Sequence, residues 1–102
     1  MARKNELLPP VHPGEILRED LMKPLSISAR QLAHDLLVPV HRISEILNCR
    51  RSLTADTCLR LARYFGNTPQ FWMNVQAAYD LEVATRASAA RIAQAVRPRQ
   101  AA

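Results

Sequence analysis

An all-α fold is what this 102-residue sequence predicts, and three observations predict it. Glycine occurs twice and aromatic residues make up 5% of the chain, too few for a fold of many short strands and tight turns. Apolar residues recur at spacings of three and four, the helical period, rather than two. Seven prolines divide those periodic segments at the places where helices start or stop. With 48% apolar and 23% charged residues, the composition is that of one small globular domain. A chain of this length buries about two-thirds of its unfolded surface, so its stability is modest and a partner subunit would add to it.

The first helix is predicted over residues 13–22. Pro13 suits a first turn, Glu15 favours the positive end of the helix dipole, and Ile16, Leu17 and Leu21 share a face. Pro24 is expected to stop it. Ser28 followed by Gln31 is a capping-box pattern, and Leu32, Ala33 and Leu36 give a short second helix over Ala29–Leu36. After Leu37-Val38, Pro39 opens a third helix over residues 39–48, with Ile43, Ile46 and Leu47 facing inward. Its opposite face carries Val40, His41, Ser44 and Glu45, with Arg42 beside them. Thr54 caps a fourth helix whose Cys58, Leu61, Ala62 and Phe65 form a stripe, and Gly66 ends it. Thr68-Pro69 opens a fifth through Phe71, Trp72, Val75, Ala78 and Tyr79, which Ala-rich sequence can carry toward Val96. The expected organisation is an arm over residues 1–10, a body over 11–82 and a helical extension and tail over 83–102. Arg86, Arg91, Arg97 and Arg99 belong either to a solvated helix face or to a disordered basic end.

Fourteen Lys and Arg against nine Asp and Glu leave a net charge of +5, which favours nucleic acid, an anionic surface or an acidic partner. Cys49 and Cys58 have no second pair and no His in a metal-ligand rhythm, so reduced thiols of a cytoplasmic protein are expected. Arg3 and Lys4 are followed by Leu7 and Leu8 but then by Pro9 and Pro10, with no apolar export segment. No apolar run approaches the ~20 residues that span a bilayer, so no membrane role is expected. There is no GxGxxG, no P-loop, no Ser/His/Asp order and no metal cluster, so neither catalysis nor a cofactor is expected. His12 and His34 lack a nucleophile or carboxylate at catalytic spacing and read as structural or solvent-facing.

The second and third helices, joined by two or three residues, have helix-turn-helix spacing. In such a unit the third helix lies in the major groove and needs an apolar inner face and hydrogen-bonding groups outside. A structural helical hairpin would show the same pattern. Arg42, Arg50 and Arg51 cluster at and just beyond this helix, where phosphate contacts would fix its register.

The stretch Leu32-Ala33-His34-Asp35-Leu36-Leu37-Val38, then Arg42-Ile43-Ser44-Glu45-Ile46-Leu47-Asn48, Arg50-Arg51 and Leu61-Ala62-Arg63-Tyr64-Phe65-Gly66, resembles phage-repressor helix-turn-helix domains of the Cro/C1 (XRE) type. His12-Pro13-Gly14-Glu15-Ile16-Leu17 before it, and Thr68-Pro69, Phe71-Trp72 and Gln76-Ala77-Ala78-Tyr79-Asp80-Leu81 after it, make the resemblance one to HigA-type antitoxins of bacterial toxin–antitoxin modules, over residues 11–82. The resemblance implies a five-helix phage-repressor-like domain with an extended last helix. It implies a cytoplasmic homodimer that represses its own operon at a palindromic operator in double-stranded DNA and neutralises a RelE-like mRNA-cleaving toxin. By position, Val40, His41, Ser44 and Glu45 match base-reading residues. Ser28, Arg30, Arg42, Asn48, Arg50 and Arg51 match residues that touch phosphates or sit beside them. Two departures stand out: Leu37 and Cys49 occupy positions where the family has Gly, and where φ is often positive at a cost on the order of 1 kcal/mol for other residues.

Alternatives remain open at several of these positions. His41 is a groove contact or an exposed helix residue, and Glu45 accepts from cytosine N4, pairs with Arg42 or sits in solvent. Phe71, Trp72, Val75 and Tyr79 either close the monomer core or pack across a two-fold axis. A ribonuclease is basic, so Glu15, Glu19 and Asp20 on the first helix are the expected toxin-docking residues, against a merely solvated face. A stand-alone XRE-type regulator without a toxin is the competing function, and a helical adaptor that binds only protein is a third.

Overall fold

The computed structural model describes residues 8–100, which hold five helices and no strand. Most of the expected N-terminal arm, residues 1–7, lies outside the described residues, as do 101–102.

Helix α1 is continuous but mixed, with α geometry over Pro13–Ile16, π geometry over Leu17–Met22 and α geometry over Lys23–Leu25. His12 caps it, its Nδ1 accepting the Gly14 N–H at 2.9 Å. The expected stop at Pro24 is corrected: the helix runs through it and ends at Ser26, which takes the left-handed conformation with φ 54°. In an unbroken α-helix the proline ring would collide with the carbonyl four residues back. The π turn widens the preceding ladder to i→i+5, as in the Lys23 N–H bonded to the Arg18 carbonyl, and so makes room for the ring. It also shifts the register. Leu17 and Met22, five residues apart, are buried, whereas Leu21, expected inward, is half-buried.

Helix α2 (Ala29–Leu36) starts at Ser28, whose hydroxyl accepts the Gln31 N–H at 3.1 Å. Half of the expected capping box forms, because the Gln31 amide donates to Asp35 instead of returning to Ser28. The turn is closed by a Schellman motif: the Val38 N–H reaches the Ala33 carbonyl and the Leu37 N–H the His34 carbonyl, with Leu37 at φ 60°. Helix α3 (Val40–Leu47) begins after Pro39 and ends the same way, with Cys49 at φ 61°, Arg50 N–H on the Glu45 carbonyl and Cys49 N–H on the Ile46 carbonyl. Both residues standing where the family has Gly therefore take positive φ, as expected.

Helix α4 (Ala55–Phe65) runs from the Thr54 cap to left-handed Gly66, and α5 (Pro69–Ala95) starts at the Thr68 cap. One core joins all five helices, with Leu17, Leu32, Ile43, Ile46, Leu61 and Trp72 fully buried. α2 packs on α3, α4 on α5, and the start of α1 on both α3 and α5. Beyond Tyr79, α5 leaves the core, and its residues are exposed except for half-buried Ser88.

Candidate nucleic-acid interface

Four contacts fix α3 and the loop after it. Ile43 and Ile46 anchor its inner face in the core. α1 crosses so close that a Cβ on Gly14 would collide with the Ile46 carbonyl oxygen, far inside van der Waals contact. Arg18 Nη1 donates to the Leu47 carbonyl at 3.0 Å and satisfies one of the orphan acceptors at the end of α3. From α5, buried Gln76 accepts the Leu53 N–H at 2.7 Å and donates to Asp80 at 2.9 Å. Arg60 does for α2 what Arg18 does for α3, donating to the Leu36 carbonyl at 2.8 Å. Sequence reasoning missed Arg18, Arg60 and Gln76 as positioning residues. Gln76 left a signal, a lone amide in the inward stripe of α5; the two arginines left none distinguishable from surface charge.

The outer face of α3 carries the expected readers. Val40 is 43% exposed, the His41 side chain is 70% exposed, and Ser44 and Glu45 are half-buried. Arg30 and Arg50 are exposed, and their side chains have no ion pair or hydrogen bond among the described residues. Asn48 is exposed at the end of α3, and Ser28 spends its acceptor on the α2 cap. Of the alternatives open for Glu45, the pairing with Arg42 does not form. Arg42 reaches Asp56 at 3.5 Å, while Arg51 folds back to place Nε and Nη2 on Glu45 Oε1 at 2.7 and 2.6 Å. Arg51 thereby holds the Glu45 carboxyl below the usual carboxylate range. His41 Nε2 stands 3.6 Å from the same oxygen.

Trp72 takes the core alternative: it is fully buried within the single chain, and its indole N–H donates to Asn67 at 2.9 Å. An indole with no exposed surface has none to give a partner. Phe71 remains 42% exposed, while Val75 and Tyr79 are half-buried, Tyr79 lying edge-on to the His12 ring at 4.8 Å. On α1, Glu19 is neutralised by Arg18 at 2.9 Å and Lys23 at 2.8 Å. Glu15 and Asp20 have no ion pair among the described residues, and with Val11 and Ile16 they line a shallow groove of about 210 Å³. His12 is buried and His34 exposed. Cys49 and Cys58 are free thiols. Among the described residues no three His, Cys, Asp or Glu side chains are placed to hold a metal ion, and no helix is long and apolar enough to cross a membrane.

No protein-family model matches the sequence. Virulence-associated protein I of Dichelobacter nodosus is 55% identical over 83 residues, 81% of this chain and 76% of that protein. An addiction-module antidote protein of the HigA family from Coxiella burnetii is 50% identical and superposes with a TM-score of 0.84, covering 90% of this chain and 100% of that one. Pseudomonas aeruginosa antitoxin HigA, solved with the higBA promoter, is 38% identical with a TM-score of 0.86, covering 89% of this chain and 99% of its own. With those identities, that coverage and the same helical body, the chain belongs to the HigA family of XRE-like helix-turn-helix antitoxins.

Proposed function

We propose that this protein is a cytoplasmic antitoxin that neutralises a RelE-like mRNA-cleaving toxin and, as a homodimer, represses its own operon at a palindromic operator. The observation that carries the DNA half is the outer face of α3. Val40, His41 and Ser44 stand outward on a helix held from behind by α1, with the loop after it held by α5, and Arg30 at the start of α2 and Arg50 in that loop have no ion pair or hydrogen bond among the described residues. That is the division of labour a groove-reading helix needs, with base contacts on the helix and phosphate contacts around it. Ser28, Arg30, Arg42, Asn48 and Arg50 take the phosphates, and Val40, His41 and Ser44 the base edges. The toxin half rests on the antidote and antitoxin names of the similar structures and on the free carboxylates of Glu15 and Asp20 beside the apolar Val11–Ile16 groove, which suit a basic partner.

Titration of the protein's own promoter fragment and a scrambled fragment across a salt series tests the first half. His41→Ala with Ser44→Ala is expected to erase the preference between the two, about 5- to 150-fold for base contacts worth 1–3 kcal/mol. Arg50→Ala is expected to weaken both fragments alike and to flatten the salt slope by about 1. The same effect from both changes would break the assignment of roles. Co-expression with the product of the adjacent gene tests the second half: growth arrest relieved by this protein supports it, and reversal of charge at Glu15 and Asp20 is expected to weaken the complex. Promoter binding with no toxin neutralised would leave a stand-alone regulator of the same family.

A further inference from the structure

Arg51 lies in the loop after α3, yet its side chain returns along the outer face of that helix. Its Nε and Nη2 both donate to one oxygen, Oε1 of Glu45, at 2.7 and 2.6 Å. The loop main chain is tied to the same residue, since the Arg50 N–H donates to the Glu45 carbonyl at 2.8 Å. Gln76 holds the loop from the other side through the Leu53 N–H. Head and backbone of this arginine are thus both fixed, and the head is held on a carboxylate oxygen that stands 3.6 Å from His41 Nε2 on the outer face of α3.

A guanidinium has five N–H donors. Glu45 engages two along one edge, leaving both hydrogens of Nη1 and one of Nη2. One hydrogen from each Nη forms the end-on pair whose spacing matches the O6 and N7 acceptors of guanine in the major groove. The Glu45 carboxylate, by contrast, already accepts two charge-assisted bonds, and alone it would be repelled by the phosphates on either side of the groove. Paired with Arg51 it enters as a neutral unit.

We propose that Arg51 is a specificity-determining residue that reads a guanine in the operator half-site, and that Glu45 is its positioning residue rather than a reader of cytosine. This rests on the DNA-binding reading above and replaces, for these two side chains, the roles that resemblance alone implies. The Arg51 end-on donors and the Glu45 carboxylate then recognise no base independently of each other.

The test uses the full-length protein, the promoter segment it protects in footprinting, a set of fragments with one base pair of the half-site replaced in each, and a scrambled fragment. Wild type is expected to lose about tenfold in affinity when one particular G·C pair is replaced. In Arg51→Ala and in Arg51→Lys, which keeps the charge, that loss is expected to shrink below about twofold while discrimination at other pairs persists. Glu45→Gln is expected to reduce discrimination at the same pair, with thermal melting confirming that each variant is folded. Arg51→Ala weakening operator and scrambled fragment by equal factors would make Arg51 a phosphate contact and overturn the proposal. Glu45→Gln changing preference at a pair that Arg51→Lys leaves alone would restore Glu45 as a direct reader and overturn it too. Wild type that shows no preference for its promoter over the scrambled fragment would fail earlier, at the DNA-binding reading itself, and take the proposal with it.

Discussion

Alanine in place of a helical glycine ordinarily stabilises by about 1 kcal/mol, and Gly14 lies in the first turn of α1. Here the sign inverts. An added Cβ meets the Ile46 backbone carbonyl, which cannot rotate away, so α1 must shift from α3. Gly14→Ala is expected to cost about 2 kcal/mol, the range of overpacking in a closed core, read as a lower urea midpoint at unchanged slope. At two other positions glycine is the better residue. Leu37 and Cys49 hold φ near 60°, where a side chain costs roughly 1–2 kcal/mol, and both side chains are exposed, so removing them forfeits little burial. Part of the relief is offset by the larger conformational freedom of glycine in the unfolded chain. Leu37→Gly and Cys49→Gly are each expected to gain up to about 1 kcal/mol, and a clear fall in melting temperature for either would contradict the account of strain at that turn.

A cap that titrates makes one element pH-sensitive. His12 starts α1 by accepting the Gly14 N–H at Nδ1, so its proton sits on Nε2 and a second proton would remove the cap. Burial pushes its pKa below the ordinary value near 6.5, against the opposing pull of Glu15, Asp80 and the Arg51 backbone. The unfolded chain therefore takes up a proton at a pH where the folded protein does not. Stability from this residue is complete above about pH 6.5, declines as pH falls below it, and levels off under the lowered folded value. Urea melts at pH 7.5 and 5.5 are expected to differ less for His12→Asn, which caps without titrating, than for wild type; an equal drop in both would assign the dependence to other groups. Most of this architecture was legible in the sequence because caps and apolar stripes are local signals: Ser28, Thr54, Thr68 and Gly66 mark their helix ends as expected. What escaped was non-local or geometric. Pro24 reads as a stop until the π turn ahead of it is known, the pairing of Arg51 with Glu45 leaves no mark in their spacing, and Trp72 reads equally as core or interface until its burial decides.

The molecule as a whole is longer than its length in residues requires. Its radius of gyration is 17.0 Å and its longest extent 54 Å, against about 13 Å of radius for a compact chain of 100 residues. The excess lies in α5, whose 27 residues span about 40 Å while only its first turns touch the core. One protomer presents a single reading helix, whereas recognition of a palindrome requires two, about 34 Å apart. The proposed dimer supplies the second, with Phe71, Val75 and Tyr79 as the available part of its interface on α5. Sedimentation of wild type at micromolar concentration is expected to show a dimer, and a monomer there would exclude this arrangement. Phe71→Asp is expected to shift the protein toward monomer and to lower its melting mainly by what the second copy contributes, so that the gap to wild type narrows on dilution, because Phe71 is already 42% exposed within the single chain. Promoter affinity should then fall, with a steeper dependence on protein concentration, while binding to scrambled DNA, which needs no second half-site, is less affected. A large-to-small change at Trp72 must fail differently, costing about 3–5 kcal/mol of protomer stability at every protein concentration, since its surface is already spent on the core. A Phe71 variant that unfolds as a Trp72 variant does would place Phe71 in the core as well and leave α5 without an apolar contact of that size to offer a second copy.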